Sequence, residues 1–283
     1  MRLLFVSVVL VALSQGAGAQ LLAARDNPVV YGHHHINASD IDAHKKFWID
    51  GLGGSSVTIG TSTAEVISFP NVLVFLTSRE PIAGTIGSVV NHVGFETTDI
   101  HTDVARLQDI GFQMITRQEL PASYTVVDGI ARRDGGNTIA YVLGPDDTKV
   151  ELIENTAIEH PIQMHHIHWA TQEGEAMQQW YVEHFGAIPG TRIGQPAADL
   201  PGVNLTFAPS TDPVAPTRGR SIDHIGFEVE NLEAFCRRLE ASGITLDRGY
   251  TPVPSLGIAI AFFTDPWGTY VELTEGLDAV TLP

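Results

Sequence analysis

Two short segments each set a histidine, a glycine and a glutamate at alternate positions. Residues 90–97 read VNHVGFET and residues 222–229 read IDHIGFEV. Side chains in an extended strand alternate between faces. His92, Gly94 and Glu96 therefore share one face, and Val93 and Phe95 the other. His224, Gly226 and Glu228 likewise oppose Ile225 and Phe227. Two further segments, HHHIN at 33–37 and MHHIH at 164–168, carry His35 and His166, 131 residues apart. Glu151 in KVELIE and Glu272 in YVELTE interrupt apolar strands, each on the face opposite its valine and leucine neighbours. A carboxylate in that setting needs a cation or hydrogen-bond donors, because burying a charge alone is costly. Two neutral imidazoles plus one carboxylate suit Fe(II) and leave coordination positions open; Zn(II) or Mn(II) would accept the same donors. Grouped by halves of the chain, the candidate metal ligands are His35, His92 and Glu151, then His166, His224 and Glu272. Because His33, His34 and His35 are consecutive, a slip of one residue would hand the role to His34 and turn the side chain to the other face. His168 shares the face of His166 and is a candidate catalytic proton donor or substrate contact.

The elements that carry these residues repeat. VNHVGFETTDIH and IDHIGFEVENL are 132 residues apart, and the two V-E-L glutamates 121, the first copy holding a longer internal loop. Each half divides again, with intervals of 57 (His35 to His92) and 58 (His166 to His224). Every opening strand is followed by a helical pattern. Leu232, Phe235, Cys236 and Leu239 fall on one apolar face, with Gly243 as a stop. Ile100, Val104 and Leu107 repeat the pattern before Gly111. AHKKFWIDGLGG at 43–54 matches AMQQWYVEHFGA at 176–187, which places Phe47-Trp48 and Trp180-Tyr181 in the core. Gly- and Pro-punctuated β-like stretches complete each module, which reads β-α-β-β-β.

Four such modules, each with a histidine on its first strand and two with a glutamate in a terminal V-E-L strand, resemble the vicinal oxygen chelate superfamily. Glyoxalase I, bleomycin-resistance proteins and extradiol dioxygenases belong to it. The resemblance covers nearly all of the chain beyond its first segment. It implies an α+β fold of tandem βαβββ modules, four copies, forming two cup-shaped mixed-sheet domains at residues 30–157 and 161–278. The simplest cups pair modules one with two and three with four. Some relatives pair the first with the fourth, and both triads would then be redrawn. The extradiol enzymes take ligands from two opening strands and a closing strand, places that the six residues fill. Glyoxalase I adds an acidic ligand from the other module's last strand, but FPNVLVFLTS and LPGVNLTFAPS carry no carboxylate. That favours the open, dioxygenase-like site.

The extradiol signature is itself partial. Tyr141, Pro145 and Glu151 match in the first half, with Asp147 in place of glycine. Pro266, Gly268 and Glu272 match in the second, with Phe262 in place of tyrosine. The family's upstream catalytic histidine is missing from both ARRDGGNTIAYVLG and SLGIAIAFFTDP. Tyr141, placed to hydrogen-bond an oxygen held at the metal, or His168 would have to substitute for it. The resemblance thus implies a metal-dependent, dioxygenase-like oxidoreductase acting on a small molecule with adjacent oxygens. A glyoxalase-like lyase or isomerase and a non-catalytic small-ligand binder are the alternatives.

The 283 residues suggest about two domains. With 43% hydrophobic and 17% charged residues, the chain has material for a core and no signature of disorder. A net charge of −17 rules out a basic nucleic-acid footprint and disfavours docking on an anionic membrane. The one cysteine, Cys236, excludes an internal disulfide and a Cys-rich zinc site. The opening MRLLFVSVVLVALSQGAGAQ has a positive start, a short apolar run and Ala17-Gly18-Ala19, which reads as a secretory signal over residues 1–19. Its apolar run falls short of the roughly 20 residues a membrane span needs. Residues 20–29 would be a linker, and the expected destination is the periplasm or the exterior, with no membrane partner after cleavage.

Overall fold

The computed structural model of the chain describes residues 21–24, 29–133 and 136–282. The expected leader and half of the expected linker lie outside them. Four modules follow one another. The first holds β1 (Val29–Ala38), α1 (Ile41–Lys45) running into a π-helical turn at Lys46–Gly51, then β2 (Ser55–Ile59), β3 (Glu65–Phe69) and β4 (Val72–Ser78). The second holds β5 (Val90–Thr97), α2 (Ile100–Asp109), β9 (Thr138–Leu143) and β10 (Lys149–Glu154). Its longer loop forms β6 (Gln113–Met114), α3 (Thr116–Glu119), β7 (Val126–Val127) and β8 (Ile130–Arg132). The third is β11 (Ile162–Thr171), α4 (Gly174–Phe185), β12 (Ile188–Arg192), β13 (Gln195–Leu200) and β14 (Val203–Pro209). The fourth is β15 (Ile222–Val229), α5 (Leu232–Ala241), β16 (Leu246–Val253), β17 (Ile258–Thr264) and β18 (Tyr270–Glu275). A short α6 (Leu277–Val280) and β19 (Thr281–Leu282) end the described chain. Among the described residues no helix is long and apolar enough to cross a membrane.

The helices begin where short polar side chains cap them. Asp40, Asp99 and Asn231 each accept a hydrogen bond from the amide three residues on, satisfying a donor that the first helical turn leaves free. In α5 the expected stripe of Leu232, Phe235, Cys236 and Leu239 is buried, and Gly243 follows with φ +86, a backbone that favours glycine.

The modules form two mixed sheets, ordered β16-β17-β18-β15-β1-β4-β3-β2-β19 and β12-β13-β14-β11-β5-β10-β9-β8-β7. Their centres are the antiparallel pairs β1–β15 and β5–β11. Module one therefore shares a sheet with module four, and module two with module three. The boundaries 30–157 and 161–278, read as two self-contained cups, are corrected accordingly. The two modules of each sequence half do meet, but back to back rather than edge to edge. Phe47 packs on Phe112, with ring centroids 4.9 Å apart, and Trp48 on Phe95 at 6.1 Å, joining modules one and two. Phe185 packs on Phe227 at 5.0 Å and Trp180 on Phe263 at 6.0 Å, joining three and four. One continuous apolar cluster thus fills the space behind both sheets, leaving their opposite faces to carry the polar residues.

Glu228 lies on the polar face of β15, yet it is buried and accepts hydrogen bonds from Thr274 and from the amides of Gly276 and Leu277. Burial pushes its pKa up to about 7, against these bonds. A carboxyl whose folded pKa exceeds its unfolded value binds more protons in the folded state, so stability falls as pH rises between the two. Chemical denaturation is expected to give decreasing stability from about pH 4.5 to about pH 7, and a flatter profile over that window in Glu228→Gln.

Candidate metal centres

Each centre is built on one row of residues crossing four hydrogen-bonded strands. In the second sheet the row is Glu151 on β10, Gly94 on β5, His166 on β11 and Asn204 on β14. In the first it is Glu272 on β18, Gly226 on β15, His33 on β1 and Leu73 on β4. Residues of one row project from the same face. The glycine is the gap that makes each row work. A Cβ at Gly94 would lie 1.9 Å from Cε1 of His166, and one at Gly226 would lie 2.0 Å from Cε1 of His33. With no side chain there, the imidazole leans across the middle strand and reaches the carboxylate beyond it. The third donor sits two residues along that strand, where period two returns it to the same face.

The donor atoms converge. His92 Nε2 lies 3.1 Å and His166 Nε2 3.0 Å from the same Glu151 oxygen, and the two nitrogens are 3.4 Å apart. His33 Nε2 lies 2.9 Å and His224 Nε2 3.0 Å from Oε2 of Glu272. His92, Glu151, His166 and His168 form one group within metal-chelating distance, and His33, His224 and Glu272 another. Three nitrogen and oxygen donors aimed at one point are what a divalent ion requires, and both sets fit one.

Charge is arranged differently at the two. Burial tends to raise the pKa of Glu151, but hydrogen bonds from His166 and His92 outweigh it and hold the carboxyl well below the usual range. Burial keeps His92, His166 and His168 below the ordinary imidazole value. Nδ1 of His92 is held by the side-chain amide oxygen of Asn91 at 2.9 Å. In the other centre Nδ1 of His224 meets the carboxylate of Asp223 at 2.7 Å. Burial opposes protonation of His224, but Asp223 and Glu272 overcome it and raise the pKa to about 9. A divalent ion bound there would displace that proton, since ligands must be deprotonated.

Five of the six expected ligands, His92, Glu151, His166, His224 and Glu272, fall in these clusters, but their grouping is redrawn. His92 and Glu151 join His166, and His224 and Glu272 join His33. The sixth, His35, is corrected to a flanking place. It lies in the neighbouring row, opposite His224 and Phe75, where its Nε2 bonds Thr77 and its ring packs 4.5 Å from that of His224. His33 and His35 share a face, so a slip of two residues exchanged them without changing the pattern. His34 faces backwards into the core beside Trp48 and Tyr31. His168 is the counterpart of His35. Its ring lies 4.3 Å from that of His92, and its buried Nδ1 has no partner among the described residues. Tyr141 stands directly opposite Glu151, and Phe262 takes that place beside Glu272.

Sequence reasoning missed Arg133 and Arg192. Arg133 pairs with Oε1 of Glu151 at 3.0 Å and donates to the Tyr141 hydroxyl at 2.9 Å. Arg192, on β12, lies 4.0 Å from Oε2. Neither sits at a repeated position, so the internal repeat gave no pointer to them. It could have found His33, because HHH at 33–35 superimposes on HIH at 166–168.

Residues 163–273 match the family model described as the Glyoxalase/Bleomycin resistance protein/Dioxygenase superfamily. Glyoxalase I from Zea mays superimposes with a TM-score of 0.68 at 15% identity, over 90% of this chain and 95% of that one. A putative dioxygenase from Bacillus subtilis gives a TM-score of 0.59 at 12% identity, over 87% of this chain and 84% of the other. These likenesses establish a cup-shaped, mixed-sheet α+β fold shared with both. No curated protein matched by sequence.

The glycine gap gives a direct test of the geometry. Gly94→Ala is expected to drive the His166 ring off Glu151, and Gly226→Ala the His33 ring off Glu272. Each variant should keep its far-ultraviolet circular dichroism while losing one imidazole–carboxylate contact, read from histidine side-chain NMR shifts.

Proposed function

We propose that this chain is an exported, metal-dependent enzyme of the vicinal oxygen chelate superfamily with extradiol-dioxygenase-like chemistry. One ion would be held by His92, His166 and Glu151 and a second by His33, His224 and Glu272, with Fe(II) the best match to the donors. The observation that carries the reading is the composition of the two rows. Each ends on one side in a glutamate and on the other in a residue without a carboxylate, Asn204 or Leu73. Three donors then leave positions free for a substrate with two adjacent oxygens and for dioxygen.

When bound, the ion supplies positive charge that acidifies a substrate hydroxyl and stabilises the anion formed. The protein's own groups do the rest. Burial holds the pKa of His168 well below the usual imidazole value, and its Nδ1 has no partner among the described residues, so it would offer a neutral ring nitrogen as a hydrogen-bond contact to a substrate hydroxyl beside His92. The Tyr141 hydroxyl, held by Arg133, can donate a hydrogen bond to a substrate oxygen on the other side of Glu151. Burial of His92, His166 and Glu151 limits the access of water to the donor atoms. In the other centre Phe262 stands at the position that Tyr141 occupies here, so catalysis is assigned to the centre containing Tyr141. A lyase or isomerase reading is favoured by one observation: His168 adds a fourth donor to that group, and four donors suit Zn(II).

Purified protein is expected to hold two divalent ions per chain by elemental analysis, one in Glu151→Ala or Glu272→Ala alone, and none in the double variant. Retention of stoichiometric metal by the double variant would remove both centres. After anaerobic Fe(II) reconstitution, a catechol panel should consume oxygen, and Tyr141→Phe or His168→Ala should lower kcat by about 10²-fold. Turnover with Zn(II) and no oxygen uptake would favour the lyase reading. Export is checked by N-terminal sequencing of the mature protein, expected to begin at Gln20.

A further inference from the structure

The two centres share their donor types and differ in the charge around them. We infer that the centre on the β5–β11 sheet includes a carboxylate-binding subsite formed by Arg133 and Arg192, so that its substrate is an anion bearing a carboxylate beside its two chelating oxygens. The centre on the β1–β15 sheet has no such subsite. This rests on the metal-centre reading above and names the substrate class of one of the two sites.

Both guanidiniums lie between Glu151 and solvent. The side chain of Glu151 is 1% exposed, that of Arg133 15% and that of Arg192 13%. Neither is fully engaged. Nη2 of Arg133 is shared by Glu151 and Tyr141, while its buried Nη1 has no partner among the described residues. Arg192 donates through Nη1 to Thr206 at 3.3 Å, and its Nη2 stands 4.0 Å from Glu151, beyond hydrogen-bonding reach. A half-buried guanidinium with a free N–H is a binding group awaiting an acceptor, and the planar fork of arginine matches a carboxylate.

The charge count agrees. Arg133 and Arg192 face Glu151. Glu96, an acid that also acts on Arg192, is taken up by Asn155, Gln163 and His165. Lys149 is paired with Glu119. With neutral imidazoles, the two arginines and the two glutamates balance before an ion enters. A divalent ion then leaves an excess of two positive charges in a buried site, which an anionic ligand offsets. In the other centre, Glu272 has only His33 and His224 as ion partners among the described residues. Arg218 there stacks on the ring of Tyr270, 4.4 Å from its centroid. Holding an ion therefore does not by itself require the arginines, since the same three donor types assemble without them.

The test compares 3,4-dihydroxybenzoate with catechol by calorimetry on the metal-loaded full chain. Wild type should bind the carboxylated probe at least about tenfold more tightly. Arg133→Gln and Arg192→Gln should each erode that preference, and the double variant should abolish it, with metal content per chain unchanged. Equal affinity for the two probes in wild type, or a preference that survives the double variant, overturns the subsite. Failure of the metal reading shows separately, as wild type that takes up no ion. In that case benzoate on the metal-free chain decides the matter: binding weakened by Arg192→Gln upholds the subsite, and binding unaffected by it, or none at all, overturns it.

Discussion

The contact on which both centres depend is an imidazole leaning over a glycine to reach a glutamate one strand further on. Adjacent strands lie close to 4.8 Å apart, so a histidine and a carboxylate separated by a whole strand meet only when nothing projects from the strand between them. Gly94 and Gly226 meet that condition, and neither is needed there for an unusual backbone angle. The effect is steric, and it joins three strands from two different modules. A centre can form only when the opening strands of both modules are paired in register, so the assembly of the sheet and the assembly of the donor set are one event.

The rear faces explain why the pairing can be crossed without dividing the molecule. Residues that alternate with the ligands, such as Val93, Phe95, Ile225 and Phe227, are fully buried and join a core that runs behind both sheets. Each sequence half keeps its partner through aromatic packing, while each sheet draws its hydrogen bonds from both halves. Strand alternation thus separates the two tasks: along each strand one face holds the molecule together, and the other assembles the polar centres.

Much of this was legible in the sequence because it rests on period and repetition. Alternation placed His92, Gly94 and Glu96 on one face and Val93 and Phe95 on the other, and the helical stripe of α5 followed from residues at i, i+3, i+4 and i+7. What was not legible depends on which edges meet. The residue pattern of β1 fits an edge with module two as well as one with module four, so the grouping of ligands was open. Three consecutive histidines also hide a slip of two residues, because it preserves the face, and His35 was taken where His33 stands. The arginines escaped notice because they come from a loop and an outer strand that the repeat does not duplicate. The contrast of Tyr141 with Phe262 is legible in the closing motifs, whereas the arginines that face the glutamate in one centre alone became visible only with the neighbours in place.

The nesting of one sheet's strands inside the sequence of the other fixes a timetable for the nascent chain. The inner sheet has all its main strands once β14 has been synthesised, whereas the outer one must keep β1 waiting until β15 to β18 emerge. Its central pair joins residues nearly two hundred positions apart, a closure that is slow and leaves an unpaired edge exposed meanwhile. The inner centre can therefore form first, and the outer one only after β15 to β18 have followed.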